Sequence, residues 1–310
     1  MIVSASYRTD IPAFYGRWFL NRFRAGWVKA VNPYGRQIST IPLRAGVDGY
    51  VFWSRNVAPF LPALDEVRSA GYPFVLHHTV TGYPRRLERS VIDPARAIAA
   101  IREVVARHGV GTVVWRYDPV LISSLTPQSW HLDTFATLAD ALAGAVDEVV
   151  VSFASLYRKT ERNLTLASAA GERFDWVDPP LAEKQALLIR LVGLAAERGM
   201  TVSLCAQPGL VVPGAAPGRC IDARRLERVA AAWGRPRSVP ARPRGTRPGC
   251  QCHESRDIGE YDTCPHGCTY CYAVGSRELA RMRFAEHDPD SEFLFRPPGS
   301  ISIPEMPTLL

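Results

Sequence analysis

Short β-branched runs alternate along the chain with longer stretches in which apolar residues recur every third or fourth position. These are the two periods that separate strands from helices. The runs at 2–6, 49–53, 73–79, 112–116, 148–153 and 201–205 read as strands, and the spacing predicts helices near 12–25, 59–70, 94–108, 127–144, 180–198 and 223–233. Asp93-Pro94, Thr126-Pro127 and Asp178-Pro179 each set a capping oxygen before a proline, whose missing N–H costs nothing in a first helical turn. Gly109, Gly199 and Gly234 follow the expected last turns, where a left-handed residue is wanted. Residues 27–43, containing Asn32-Pro33-Tyr34-Gly35, read as a hairpin inserted before the second strand.

Six strand-then-helix units in succession predict an α/β fold with a parallel sheet and right-handed crossovers. The expected architecture is a partial (β/α)6 TIM-like barrel over residues 1–234; an open doubly wound sheet is the other arrangement this pattern allows. The texture then changes to an arginine- and proline-rich linker at 235–249, a cysteine-rich segment with a charged helix at 250–287, and a tail at 288–310 expected to be loosely ordered. The cysteine segment should fold back on the barrel, because an exposed metal cluster would not persist.

Composition changes this picture little. The chain is 47% hydrophobic and 22% charged, ordinary for a globular protein and unlike a disordered one. It has no run of about eighteen apolar residues, and its N-terminus lacks the basic region and apolar core of a secretion signal. The expectation is a cytoplasmic protein without a membrane partner. Of the net charge of +7, five units come from Arg235, Arg237, Arg242, Arg244 and Arg247 in one acid-free stretch. Such a run is a solvated connector or a phosphate-binding arm, so charge alone does not specify nucleic acid.

Seven cysteines change the picture more. In a reducing compartment, clustered thiols indicate metal ligation or redox chemistry rather than disulfides. Residues 263–273 read TCPHGCTYCYA, which places Cys264, Cys268 and Cys271 in the spacing Cys-x-x-x-Cys-x-x-Cys. Three thiolates in so short a loop wrap one face of a [4Fe-4S] cubane and leave its fourth iron open, and Gly267 permits the tight turn. In radical enzymes that iron holds S-adenosylmethionine. Zinc is the alternative, with His266 or His253 as the fourth ligand. Cys205, Cys220, Cys250 and Cys252 remain, the number that completes a second cluster, or else they are inert thiols.

SASYRTDIPAFYGRWF, VFWSRN, VVWRYDP, the Cys220-Ile221-Asp222 step and the segment from Cys250 to Ala273 together resemble an uncharacterised bacterial and archaeal family of unknown function. The likeness covers nearly the whole chain. It departs at Tyr7, where the family has a second arginine, and at WSRNV, which replaces Trp-Thr-Lys-Asn-Pro. The C-terminal cysteine group is similar to the N-terminal group of radical S-adenosylmethionine enzymes, although here it follows the barrel and no Gly-Gly-Glu run ends the second strand. HGCTYCYA also resembles the cluster loop of the spore photoproduct lyase group, which would make a nucleic-acid lesion the substrate.

In parallel α/β folds the site lies at the C-terminal ends of the strands, and the residues expected there are polar. Arg116 suits a bidentate grip on a carboxylate and Asp118 an acceptor role toward ribose hydroxyls; Arg8, Asp10, Arg55 and Asn56 complete the candidate cofactor site. Alternatively Arg116, Asp118, Arg8 and Asp10 form a structural ion-pair network. His78 is a candidate proton donor or a satisfied strand-end hydrogen-bonder, and Tyr157 and Lys159 are the other candidate catalytic groups. The expected activity is reductive cleavage of S-adenosylmethionine to a 5′-deoxyadenosyl radical that acts on an unknown substrate. A small electron donor such as flavodoxin or ferredoxin would be the partner. The rival class is a non-catalytic iron–sulfur or zinc protein that carries electrons or holds the C-terminal segment in place.

Overall fold

The computed structural model describes residues 1–297. The expected tail positions 298–310 lie outside the described residues. Eight strands form one sheet: β1 (Ile2–Ala5), β2 (Gly49–Ser54), β3 (Phe74–Thr79), β4 (Val113–Val120), β5 (Glu148–Phe153), β6 (Thr201–Leu204), β7 (Ala215–Pro217) and β8 (Ser255–Asp257). Their order across the sheet is β7-β6-β5-β4-β3-β2-β1-β8, and every pairing is parallel. Two of the eight, β7 and β8, lie outside the six expected strands. Each is three residues long, too short to show an alternation. They form the two edges, and no pairing joins them among the described residues.

The crossovers supply α1 (Ile11–Phe14), α2 (Gly16–Ala25), α3 (Leu61–Ser69), α4 (Pro94–His108), α5 (Gln128–Leu142), α6 (Arg158–Ala169), α7 (Leu181–Ala196) and α8 (Ala223–Ala232), with α9 (Arg277–Ala285) near the C-terminus. No helix among the described residues is long and apolar enough to cross a membrane. The single helix expected near 12–25 is two, divided at Tyr15, whose hydroxyl donates to the Thr263 carbonyl at 2.5 Å. Asp93 caps α4 as expected. Thr126 and Asp178 do not cap: the Thr126 hydroxyl donates to the Leu121 carbonyl at 2.7 Å, and Asp178 pairs with Lys184. The pattern predicts no helix at α6, because only Thr160, Leu164 and Ala167 of that helix are buried. The inserted hairpin is present, with Trp27–Val31 antiparallel to Ile38–Pro42.

Alternation along the strands divides the core. Tyr50, Phe52, Phe74, Leu76, Trp115 and Tyr117 pack with the helix side chains Phe19, Phe23, Phe135 and Leu191. Ile2, Val51, Val75, Val114 and Val150 point to the other face, where Leu226 and Val229 of α8 cover them. This helix lies close to the sheet at Gly49, where a β-carbon would stand 2.9 Å from the Pro73 carbonyl and 3.1 Å from Leu226.

The C-terminal segment is held to the sheet by β8. Asp257 is the anchor: its carboxylate accepts from Ser4 Oγ at 2.6 Å, Ser6 Oγ at 2.7 Å and the backbone N–H groups of Tyr7 and Gly259, with Arg8 Nε at 3.8 Å. The linker is tied down as well. Arg235 and Arg237 donate to the carbonyls of Arg68 and Gly71, and Arg244 pairs with Glu254 at 2.7 Å. Of the tail, Phe293 and Leu294 are buried, and the Ser291 carbonyl accepts from Trp18 Nε1 at 2.9 Å.

Candidate functional site

The loop carrying Cys264, Cys268 and Cys271 lies past the C-terminal ends of β1 to β3. It is pinned by backbone bonds to the segment before α4, from Ser90 N to the His266 carbonyl and from Thr269 N to the Leu87 carbonyl. Gly267 turns the loop at φ +71°, and a β-carbon there would stand 2.6 Å from Arg277 Nε. The positive φ favours glycine here, and any other side chain would also have to displace Arg277. The thiols are half-buried, and burial pushes all of them up, Cys268 to about 12. Each feels the charge of its neighbours: Cys264 interacts with Cys268 and Cys271, and Cys268 with Cys271. Positive charge offsets them, from Arg55 at Cys268 and Cys271 and from Lys159 at Cys271. The Ala273 N–H lies 3.4 Å from Cys271 Sγ.

A second shell of groups fixes this loop. Asp10 accepts at Oδ1 from Ala13 N, capping α1, and at Oδ2 from Arg55 N at 2.7 Å and from His266, whose Nε2 is 2.8 Å away. Arg55 donates to Glu88 at 2.6 Å and to the Tyr270 hydroxyl at 2.7 Å, and Glu88 also accepts from Thr81 and Tyr270. His266 is thus turned to a carboxylate rather than into the thiol group. His253 sits elsewhere, against the backbone of Ile221 and Ala223.

The other four cysteines also converge, although they come from β6, the loop before α8 and the segment before β8. Cys205 Sγ is 3.5 Å from Cys220 Sγ, Cys220 is in sulfur contact with Cys252, and Cys252 with Cys250. The contact between them pushes the Cys250 thiol down and the Cys252 thiol up. Arg116 donates to Cys220 Sγ at 3.0 Å and pairs with Asp118, while Arg247 donates to Cys205 Sγ at 3.4 Å. The successive contacts link all four sulfurs. Among the described residues, no three His, Cys, Asp or Glu side chains are gathered for a single ion.

The expected cofactor residues therefore fall in different places. Asp10 and Arg55 adjoin the triplet. Arg116 and Asp118 adjoin the four-cysteine group and pair with each other, Ser152 also bonding Asp118. Arg8 faces Asp257 and lies over the rings of Tyr7 and Tyr261. The Asn56 backbone N–H bonds Ser54 Oγ at 2.9 Å at the end of β2. His78 is fully buried, neither ring nitrogen has a hydrogen-bond partner among the described residues, and burial pushes its pKa down to about 4. It is neutral at physiological pH. Lys159 lies 3.4 Å from the Tyr272 carbonyl, and Tyr157 is exposed at the start of α6. Sequence reasoning passed over Arg247, Glu88, Asp257 and Tyr272. The Tyr272 hydroxyl donates to the Tyr7 carbonyl at 2.6 Å, and charges from both groups, Cys271 and the Arg116 and Arg247 guanidiniums, bear on it.

A family model described as Domain of unknown function (DUF1848) matches residues 2–273, from β1 to just past Cys271. The chain belongs to this family. The match takes in both cysteine groups and the residues that fix them, so the whole constellation falls inside the family's domain. No curated protein and no solved structure matches the chain.

Proposed function

We propose that the chain is an iron–sulfur enzyme of the radical S-adenosylmethionine type, with Cys264, Cys268 and Cys271 as ligands of a [4Fe-4S] cluster. The observation that carries this reading is three half-buried thiols on one short loop that bear electrostatically on one another, with Arg55 and Lys159 offsetting them and the one histidine of the loop bonded to Asp10. A donor set of soft sulfurs alone suits iron–sulfur chemistry. Zinc would need His266 Nδ1 to turn from the Ser90 carbonyl, 3.5 Å away, to the thiols. When bound, such a cluster supplies the single electron for reductive cleavage of S-adenosylmethionine. The chain's own part is to bind, position and shield. Asp10 fixes His266 and Arg55, and Arg55 places positive charge beside Cys268.

Cys205, Cys220, Cys250 and Cys252 are proposed as ligands of a second cluster, with Arg116 and Arg247 offsetting its charge. We also read the sheet as a barrel left open between β7 and β8, supported by β1 to β7 lying in chain order. That reading puts both thiol groups at one mouth.

The test is anaerobic reconstitution with iron and sulfide, followed by dithionite and S-adenosylmethionine. Broad absorption near about 400 nm and formation of 5′-deoxyadenosine are expected. Colourless folded protein with stoichiometric zinc would end the cluster reading, and a brown protein that leaves S-adenosylmethionine intact would leave an electron carrier.

A further inference from the structure

Helix α9 follows directly on the cysteine triplet, and its surface is unlike the rest of the molecule. Arg277, Arg281 and Phe284 recur at the spacing of one helical face. Arg281, Met282 and Phe284 are exposed, the last two to 48% and 39%. Exposed Arg89 from the segment before α4 joins them: its neighbour Ser90 accepts from Arg277 at 3.0 Å, and both Arg89 and Arg281 bear electrostatically on Arg277. Together with burial, this like-charge crowding pushes the Arg277 pKa down. Glu278 is the acid within the group. A patch of arginine, methionine and phenylalanine has the composition of a protein interface.

The patch is one layer from the thiols. Arg277 lies against Gly267, between Cys264 and Cys268. The Phe284 ring is 5.5 Å from Phe14, and Phe14 is 4.6 Å from His266 in the same loop. Four of the five linker arginines, by contrast, are occupied with backbone carbonyls, Glu254 and Cys205. The basic residues at the start of α6 also adjoin the triplet, but Lys159 and Arg162 are engaged with the carbonyls of Tyr272 and Gly275.

We infer that the face formed by Arg89, Arg277, Arg281, Met282 and Phe284 is the docking surface for a small acidic protein that carries a one-electron donor. This rests on the redox reading of the triplet. One electron leaves the carrier, which is oxidised by one equivalent, and the cluster is reduced by one; no bond in the chain is made or broken. Exposed arginines at the rim set the association rate and its salt dependence, and the apolar pair fixes the dock.

The experiment uses full-length protein, wild type and the Arg89→Glu/Arg281→Glu double variant, with an acidic flavodoxin reduced to its hydroquinone as the probe. Flavodoxin binding is measured by titration irrespective of iron content, and reduction of reconstituted protein is followed by stopped flow. Wild type should bind, and reduction should slow steeply between low and high salt. The double variant should bind and be reduced at least about tenfold less well at low salt, with iron content and direct reduction by dithionite unchanged. Equal binding and reduction in both proteins would overturn the inference, as would a patch that takes up a DNA oligomer through the same arginines while ignoring flavodoxin. If neither protein holds iron but flavodoxin binding is lost on charge reversal, the surface stands and the cluster assignment falls.

Discussion

Oδ2 of Asp10 stands 2.8 Å from Nε2 of His266, so the turn after β1 and the cysteine loop 256 positions later share one hydrogen bond. The same carboxylate caps α1 and receives Arg55 N at 2.7 Å. One side chain therefore sets the relative positions of β1, β2 and the thiol loop.

Asp10→Ala removes an N-cap worth about 1 kcal/mol and strands two further buried donors at roughly 1–3 kcal/mol each. The urea midpoint should fall by the equivalent of at least about 3 kcal/mol, and iron uptake by the triplet should drop with it. A loss under about 1 kcal/mol would mean that the loop is held by its backbone bonds alone.

This linkage explains how much could be read from the sequence. Strand period and glycine stops gave β1 to β6, and local spacing singled out Cys264, Cys268 and Cys271, because those signals lie within a few residues. Asp10 and Arg55 were visible as polar groups at strand ends, but their pairing with His266 and with Tyr270 was not, since nothing local pairs positions so far apart. The helix α6 buries only three side chains, so its period is faint. Arg247 was read as part of a solvated run, yet it reaches Cys205; composition describes a segment's average, not the one side chain that turns inward.

Acid stability should respond to His131. It is buried between the Tyr117 hydroxyl at 2.8 Å and the Leu121 carbonyl at 3.1 Å, and burial pushes its pKa down to about 4. The unfolded chain takes up this proton near pH ~6.5, whereas the folded one does not until near pH 4. The unfolded state therefore binds more protons in that window, and stability falls as pH drops through it, by about 3 kcal/mol once both states are charged. His131→Gln should flatten this part of the pH–stability profile measured by urea unfolding. An unchanged slope would assign the acid loss to other groups.

Arg55 and Glu88 form a buried pair at 2.6 Å. Removing either partner alone, as in Arg55→Met or Glu88→Gln, leaves a lone polar or charged group and should cost about 3–5 kcal/mol. The double variant should cost less than the two singles together, by at least about 1 kcal/mol. Arg55→Met should also lower iron retention, because the guanidinium is a cation facing Cys268. Strictly additive costs in a double-mutant cycle would show that the two side chains act independently.

The two thiol groups should fail separately, because their scaffolds differ. Cys264, Cys268 and Cys271 share one loop fixed by Asp10 and the segment before α4, whereas Cys205, Cys220, Cys250 and Cys252 join β6, α8 and the linker. Replacing the first three by alanine should leave about half of the reconstituted iron, indifferent to S-adenosylmethionine, since four protein thiolates complete that cluster. Replacing the other four should leave a cluster whose electron paramagnetic resonance spectrum changes on adding S-adenosylmethionine, its fourth iron having no protein ligand. Arg116→Lys belongs with the second group: Arg116 donates to Cys220 at 3.0 Å, and lysine does not reproduce a planar guanidinium that also grips Asp118. In the background lacking the triplet, this substitution should reduce the remaining iron; with the triplet intact, the response to S-adenosylmethionine should persist. Loss of the four should also free the stretch 235–249 from Cys205 Sγ, to which Arg247 is bonded, and make it the first site of proteolysis. Wild-type protein with about four irons, unchanged when the dispersed cysteines are removed, would show that they pack together as thiols and ligate nothing.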